Sequence, residues 1–184
     1  MRDEMISVPA PGKAAWVVLF GFGWVLPLGI LGAVLISADL HRIGAELFIG
    51  FALALLLTGW ISYACWRFRD VTLKADHLLL RATMFRKKVP YASIRPDSLR
   101  SADSQQHPEF RTLMKTGGVG LPGLRAGSFR LKGGKKAFVL ITDSRVVAFQ
   151  LDDDSRVLFS AHSPDRAVEA IRHRLPGQAA DAGR

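Results

Sequence analysis

Residues 14–36 read AAWVVLFGFGWVLPLGILGAVLI, with no charged residue and no Asn, Gln, Ser or Thr. A helix over these 23 residues rises about 1.5 Å per residue and reaches roughly 34 Å, enough to cross a hydrocarbon core of about 30 Å with a modest tilt. Residues 47–66, LFIGFALALLLTGWISYACW, form a second uncharged run whose weakly polar members are Thr58, Ser62 and Cys65. Its 20 residues reach roughly 30 Å by the same geometry. Neither run carries the polar stripe of a helix packed on a water-soluble core. The first run is also longer than a signal-peptide core of about 7–15 residues, so it is read as retained. The chain is therefore expected to begin with a transmembrane hairpin.

Residues 37–46 alone join the two runs, so the helices must be antiparallel and both flanks lie on one side. The link contains Arg42 and no Lys, whereas Arg67, Arg69, Lys74 and Arg81 follow the second run. Positive charge concentrates on the cytoplasmic side of membrane proteins, which predicts cytoplasmic N and C termini. Trp60, Tyr63 and Trp66 mark the interface at the end of the second helix, and Trp16 the matching level of the first. Pro27 is expected to kink the first helix. Gly29 with Ala33, and Gly50 with Ala54, have the spacing that lets helix backbones approach, read as contact within the hairpin in preference to a dimer face. Neither span contains an ionisable residue that transport would use.

Residues 1–13 form an N-terminal segment, 67–175 a single compact domain, and 176–184 a small, polar tail expected to be disordered. After Trp66 the chain holds 22 basic and 12 acidic residues, a net +10, which suits anionic lipid headgroups. A lone cysteine, Cys65, excludes an intrachain disulfide framework and is expected to sit in lipid. From Asp70 the apolar pattern has period two. Val71 and Leu73, then Leu78 and Leu80, then Phe85, Val89 and Ile94 read as short strands of an antiparallel meander. Residues 101–108 are polar. Residues 116–127 carry five glycines in twelve positions and predict a structured loop or a broken strand, not a helix. Strand signals resume at Phe129 and Leu131, at 137–142, 146–151 and 156–160. Ser163-Pro164 reads as a capping hydroxyl followed by proline at the first helical position. Val168, Ile171 and Leu175 then share one helix face.

Val71-Thr-Leu-Lys-Ala-Asp76, Val89-Pro-Tyr-Ala-Ser-Ile94, Gly117-Gly-Val-Gly-Leu-Pro-Gly-Leu-Arg-Ala-Gly-Ser-Phe129 and Ala137-Phe-Val-Leu-Ile-Thr-Asp143 together resemble a bacterial pleckstrin-homology-like (PH-like) family, over roughly residues 67–175. The glycine-rich stretch is the most specific part. In that family two membrane helices often precede one such domain. The resemblance implies a PH-like bent antiparallel sheet or barrel of about seven strands capped by a C-terminal helix, placed at a bacterial inner membrane. It implies neither an enzyme nor a known ligand. His77, where a turn glycine is expected, and Leu79, where a polar residue is expected, depart from the pattern. Leu79 suggests that the outer face of its strand is covered.

Arg67, Arg69, Arg86, Lys87 and Lys88 are the candidate contacts to anionic lipid; the competing reading is a solvated turn that serves only to orient the chain. Gly117, Gly118, Gly120, Pro122, Gly123 and Gly127 suggest a phosphate loop, but no Gly-Lys-Ser/Thr follows and no helix opens there, so a structural role is expected. Asp152-Asp153-Asp154 lacks calcium-loop spacing, Asp39, His41 and Glu46 are equally weak, and no zinc spacing or nucleophile–base pair is present, so no metal, cofactor or catalytic residue is expected. The sequence is best read as a membrane-anchored, non-catalytic binding or scaffold module that recognises anionic lipid or a protein segment, the latter by strand addition or groove binding. Nucleic-acid binding is the rival from charge, with Tyr91 and Phe110 as loose stacking candidates. A membrane-surface enzyme is the third reading, without a motif to support it.

Overall fold

The computed structural model describes residues 4–37, 45–104, 106–110 and 112–176. The link bearing Asp39, His41 and Arg42, and the tail beyond Pro176, lie outside the described residues. Helix α1 (Lys13–Phe20) passes through one π-type turn (Gly21–Val25) into α2 (Leu26–Ser37). At this turn the Leu26 N–H donates to the Gly21 carbonyl, five residues back. The widened turn lies just before Pro27, which brings no N–H and whose ring crowds the preceding turn. Helix α3 (Ala45–Arg67) is the second long helix. Lys13–Val34 and Phe48–Cys65, with mean hydropathy 2.2 and 1.8, are long and apolar enough to cross a membrane.

The helices do not meet at the expected small-residue pairs. A Cβ at Gly29 or Gly50 would meet nothing within 4 Å, whereas one at Gly59 would lie 3.3 Å from the Trp24 indole and one at Gly23 3.8 Å from Thr58. The close approach is that of the bulky Trp24 ring, which occupies the space left free because Gly59 has no side chain.

Strands β1 (Glu4–Ile6), β2 (Arg69–Leu73), β3 (His77–Ala82) and β4 (Phe85–Pro90) form one antiparallel sheet in that order. Val71, Leu73, Leu78, Leu80, Ala82 and Val89 point inward and are fully buried. Strands β5 (Arg100–Asp103), β6 (Thr112–Leu121), β7 (Leu124–Leu131), β8 (Lys136–Ile141), β9 (Arg145–Gln150) and β10 (Arg156–Ser160) form the second sheet, in the order β5-β9-β10-β8-β7-β6. The second sheet is mixed: β8 and β10 run parallel, which corrects the expectation of purely antiparallel pairing. The turn after β8 arches over the end of β10 and delivers β9 to its far side. Ser160, fully buried at that end, secures the arch. Its Oγ accepts from the Thr142 and Asp143 N–H groups and donates to the Asp143 carbonyl, each at 3.1 Å.

The central strands are buried on both faces, which explains their unbroken apolar sequence. Phe138, Leu140, Val147, Phe149, Val157 and Phe159 enter the main core. Val139, Val146, Ala148 and Leu158 pack on the other side with Phe129, Leu131 and Phe110. Helix α4 (Pro164–Arg172) closes the main core with Ala167, Val168 and Ile171. Pro164 starts it as expected, but the Ser163 hydroxyl makes no capping bond; its carbonyl instead accepts from the Ala167 N–H at 3.0 Å.

Both helix bases are built into this domain. Phe68 alone separates α3 from β2. Ala15 and Cys65 are buried in the main core, with Leu19 and Ile61 packed against it. Cys65 is therefore enclosed by protein, correcting its placement in lipid. The N-terminal segment is also part of the fold: β1 pairs with β2, Ile6 and Val8 pack on the core, and the His162 N–H donates to the Ser7 carbonyl at 3.2 Å.

Candidate functional site

The turn between β3 and β4 returns the chain to the base of α3. The Thr83 N–H donates to the Phe68 carbonyl at 2.7 Å, and its Oγ1 donates to the Ala82 carbonyl at 2.6 Å. These bonds hold Thr83 at φ +58°, a left-handed conformation that a β-branched residue rarely adopts. Next to it, at the tip, Met84 is 59% exposed.

The five basic residues singled out from sequence divide into two groups. Arg67 is exposed on the last turn of α3, seven residues beyond Trp60 and therefore on the same stripe. Arg86 and Lys88 point outward from β4 and are exposed. Lys87 turns the other way: its Nζ lies 3.5 Å from Ser155 Oγ, and burial pushes its pKa down while Asp153 pulls it back up. Arg69 is half-buried, its Nη1 donates to the Pro9 carbonyl at 3.1 Å, and burial lowers its pKa. Lys87 and Arg69 thus tie elements of the fold together.

Arg81 joins the outward group. Its outward direction is legible in the strand alternation, but the sheet register alone places it directly opposite Arg86. Two cations in that arrangement repel. Asp70 on the neighbouring strand lies 4.0 Å from Arg81 and offsets one of them. The same outer face explains Leu79: it sits in a cross-strand row with Met5, Thr72 and Lys88, and Met5 is 70% exposed. The face is thus apolar and cationic together.

The glycine-rich stretch is the β6–β7 hairpin. Gly118 and Gly127 lie opposite each other. A Cβ on Gly127, at φ +120°, would come within 2.4 Å of the Gly117 carbonyl oxygen, and one on Gly118 within 2.3 Å of the Ala126 oxygen. At the tip, Pro122 is exposed and Gly123 takes φ +78°, its carbonyl accepting from the Gly12 N–H at 3.4 Å. A Cβ at Gly120 would meet only the Phe129 ring, at 3.7 Å. These glycines allow close backbone approach and seat the hairpin tip under the start of α1.

Other candidates are engaged within the fold. Tyr91 is buried, its hydroxyl donates to the Lys74 carbonyl at 3.0 Å, and burial pushes its pKa up to about 12. Phe110 is buried beneath Arg100 and Arg156, at 5.3 and 5.9 Å from its centroid. Neither ring offers a free face for stacking a base. Asp153 accepts from the Ser155 N–H and hydroxyl, and Asp154 pairs with Arg95 at 3.1 Å. Among the described residues no group of three or more His, Cys, Asp or Glu is placed to hold a metal ion. The longest outer strand, β6, has register shifts between Thr112 and Met114 and between Lys115 and Gly117, irregularities that blunt an edge against strand addition.

Residues 69–175 match the family model described as Bacterial PH domain. No curated protein and no solved structure matches the chain.

Proposed function

The chain belongs to the Bacterial PH domain family, and we propose that it is a membrane-anchored, non-catalytic module that reads anionic lipid at the cytoplasmic surface. In this reading α1–α2 and α3 cross the inner membrane as a hairpin, and both termini face the cytoplasm. The observation that carries it is the joining of both helix bases to one domain: Ala15 and Cys65 lie in its core and β1 pairs with β2. A domain fastened at two points presents one fixed surface to the headgroups. Arg67, Arg81, Arg86 and Lys88 lie on or next to that surface, and each basic residue near an anionic leaflet contributes about 1 kcal/mol. Weak intrinsic affinity suffices because anchoring keeps the lipid at high effective concentration. The bulges of β6 favour lipid over an added peptide strand.

Lipids co-purifying with the full chain in mild detergent provide the test. Enrichment of anionic classes over the bulk membrane is expected. A composition equal to bulk contradicts the proposal.

A further inference from the structure

We infer that the junction between α3 and the β3–β4 turn binds one anionic phospholipid, with its phosphate between Arg81 and Arg86 and its acyl chains along Trp60 and Met84. This rests on the membrane reading above and names the site within it. A cavity of about 220 Å³ opens here, with Trp60, Ala64, Phe68 and Met84 as its apolar wall and Arg81 and Arg86 as its polar wall. That volume suits a glycerophosphate headgroup, so the chains run outward along α3.

Three observations support this occupant. First, the apolar wall continues onto the outer side of α3. Trp60 and Tyr63 are 57% and 52% exposed, their rings lie 6.2 Å apart, and Tyr63 meets Phe68 edge-on at 6.2 Å. Such a cluster is characteristic of the headgroup level. Second, Arg81 and Arg86 stand side by side with Asp70 the carboxylate nearest to them, 4.0 Å from Arg81. A phosphate monoanion balances the second guanidinium and accepts charge-assisted hydrogen bonds from both. Third, the turn at Thr83 is held in an unfavourable backbone conformation that keeps apolar Met84 at the open tip. That placement is favourable where acyl chains cover the side chain. Free phosphate would use the arginines alone and a neutral lipid the apolar wall alone; an anionic phospholipid uses both.

The test uses the full chain in detergent micelles with fluorescent phosphatidylglycerol and phosphatidylcholine, and free glycerol phosphate as competitor. Phosphatidylglycerol is expected to bind more tightly. Arg86→Gln should weaken it about 5-fold and Arg81→Gln with Arg86→Gln about 30-fold, the strength of one and two basic residues at an anionic surface. Lys132→Gln, in the turn between β7 and β8 at the far end of the hairpin, should leave it unchanged. Unaltered lipid preference in the double variant overturns this site and leaves the membrane reading standing. Displacement by equimolar glycerol phosphate overturns a lipid occupant. Equal binding of both lipids by the unsubstituted chain overturns the site and the anionic-lipid reading together.

Discussion

Gly127→Ala is predicted to be among the most damaging single-methyl additions in the domain, and two other glycines show why. Gly117 would place a Cβ in open space, as would Gly133 at φ +102°. Gly127 combines φ +120° with a Cβ position 2.4 Å from the Gly117 oxygen and 2.6 Å from the Gly118 Cα. The three substitutions therefore separate side-chain addition, backbone strain, and strain with overlap. Gly117→Ala should change stability by less than about 0.5 kcal/mol, as at an unconstrained surface position. Gly133→Ala should cost about 1–2 kcal/mol for an alanine held at positive φ. Gly127→Ala adds an overlap that only separation of β6 from β7 relieves, at about 1–3 kcal/mol for overpacking, and so totals roughly 2–5 kcal/mol. At about 3 °C per kcal/mol for a chain of this size, the midpoint should fall by roughly 6–15 °C for Gly127→Ala and 3–6 °C for Gly133→Ala. Thermal unfolding of the full chain in detergent, followed by intrinsic fluorescence, reads this directly. Equal losses for Gly127→Ala and Gly133→Ala would refute close strand approach as the reason for the motif.

Further expectations concern the arch, the tyrosine and the N-terminal strand. Ser160→Ala leaves the Thr142 and Asp143 N–H groups without their acceptor and should cost about 1–3 kcal/mol in the same unfolding assay. Tyr91, raised from its ordinary value to about 12, keeps its proton longer when folded than unfolded. Its contribution is therefore intact below about pH 10 and is lost as pH rises to about 12, worth roughly 2–3 kcal/mol. Tyr91→Phe should flatten the stability profile across that window, as read by unfolding at a series of pH values. Removal of residues 2–8 strips β1 from the edge of β2 and uncovers core that Ile6 and Val8 protect. A loss of about 2–4 kcal/mol is expected, along with faster proteolysis between β2 and β3; unchanged proteolysis would mean that β1 is not part of the folded sheet.

What the sequence disclosed follows from how local each signal is. The helices were legible because length and apolarity are properties of one segment. Strands such as β2, β3, β8, β9 and β10 announced themselves by alternation or by an unbroken apolar run. The parallel pairing of β8 with β10 was hidden because it depends on an arch held by Ser160, distant in sequence from the turn it secures. β1 was invisible for a similar reason: three residues of no marked pattern become a strand only where β2 offers an edge. The glycines of β6 read as a structured loop or a broken strand because glycine weakens a strand taken alone; the second reading holds, and opposed glycines let two strands close. For the candidate site, charge alone did not separate Arg86, which points outward, from Lys87 and Arg69, which are engaged within the fold, since inward and outward neighbours on a strand look alike by charge. Arg81 required the register, and Cys65 required knowing that α3 ends inside the domain.

The central claim is that this domain is seated on a bilayer by its helix-bearing end. Spin labels at Met84→Cys and, separately, Ala75→Cys in a Cys65→Ala chain in lipid nanodiscs test it most directly, through accessibility to oxygen and to a water-soluble nickel complex. The two positions lie at opposite ends of β3, roughly 20 Å apart at about 3.3 Å per residue. The account predicts that Met84 is oxygen-accessible and shielded from nickel, and that Ala75 is nickel-accessible. Equal nickel accessibility at both positions would contradict it.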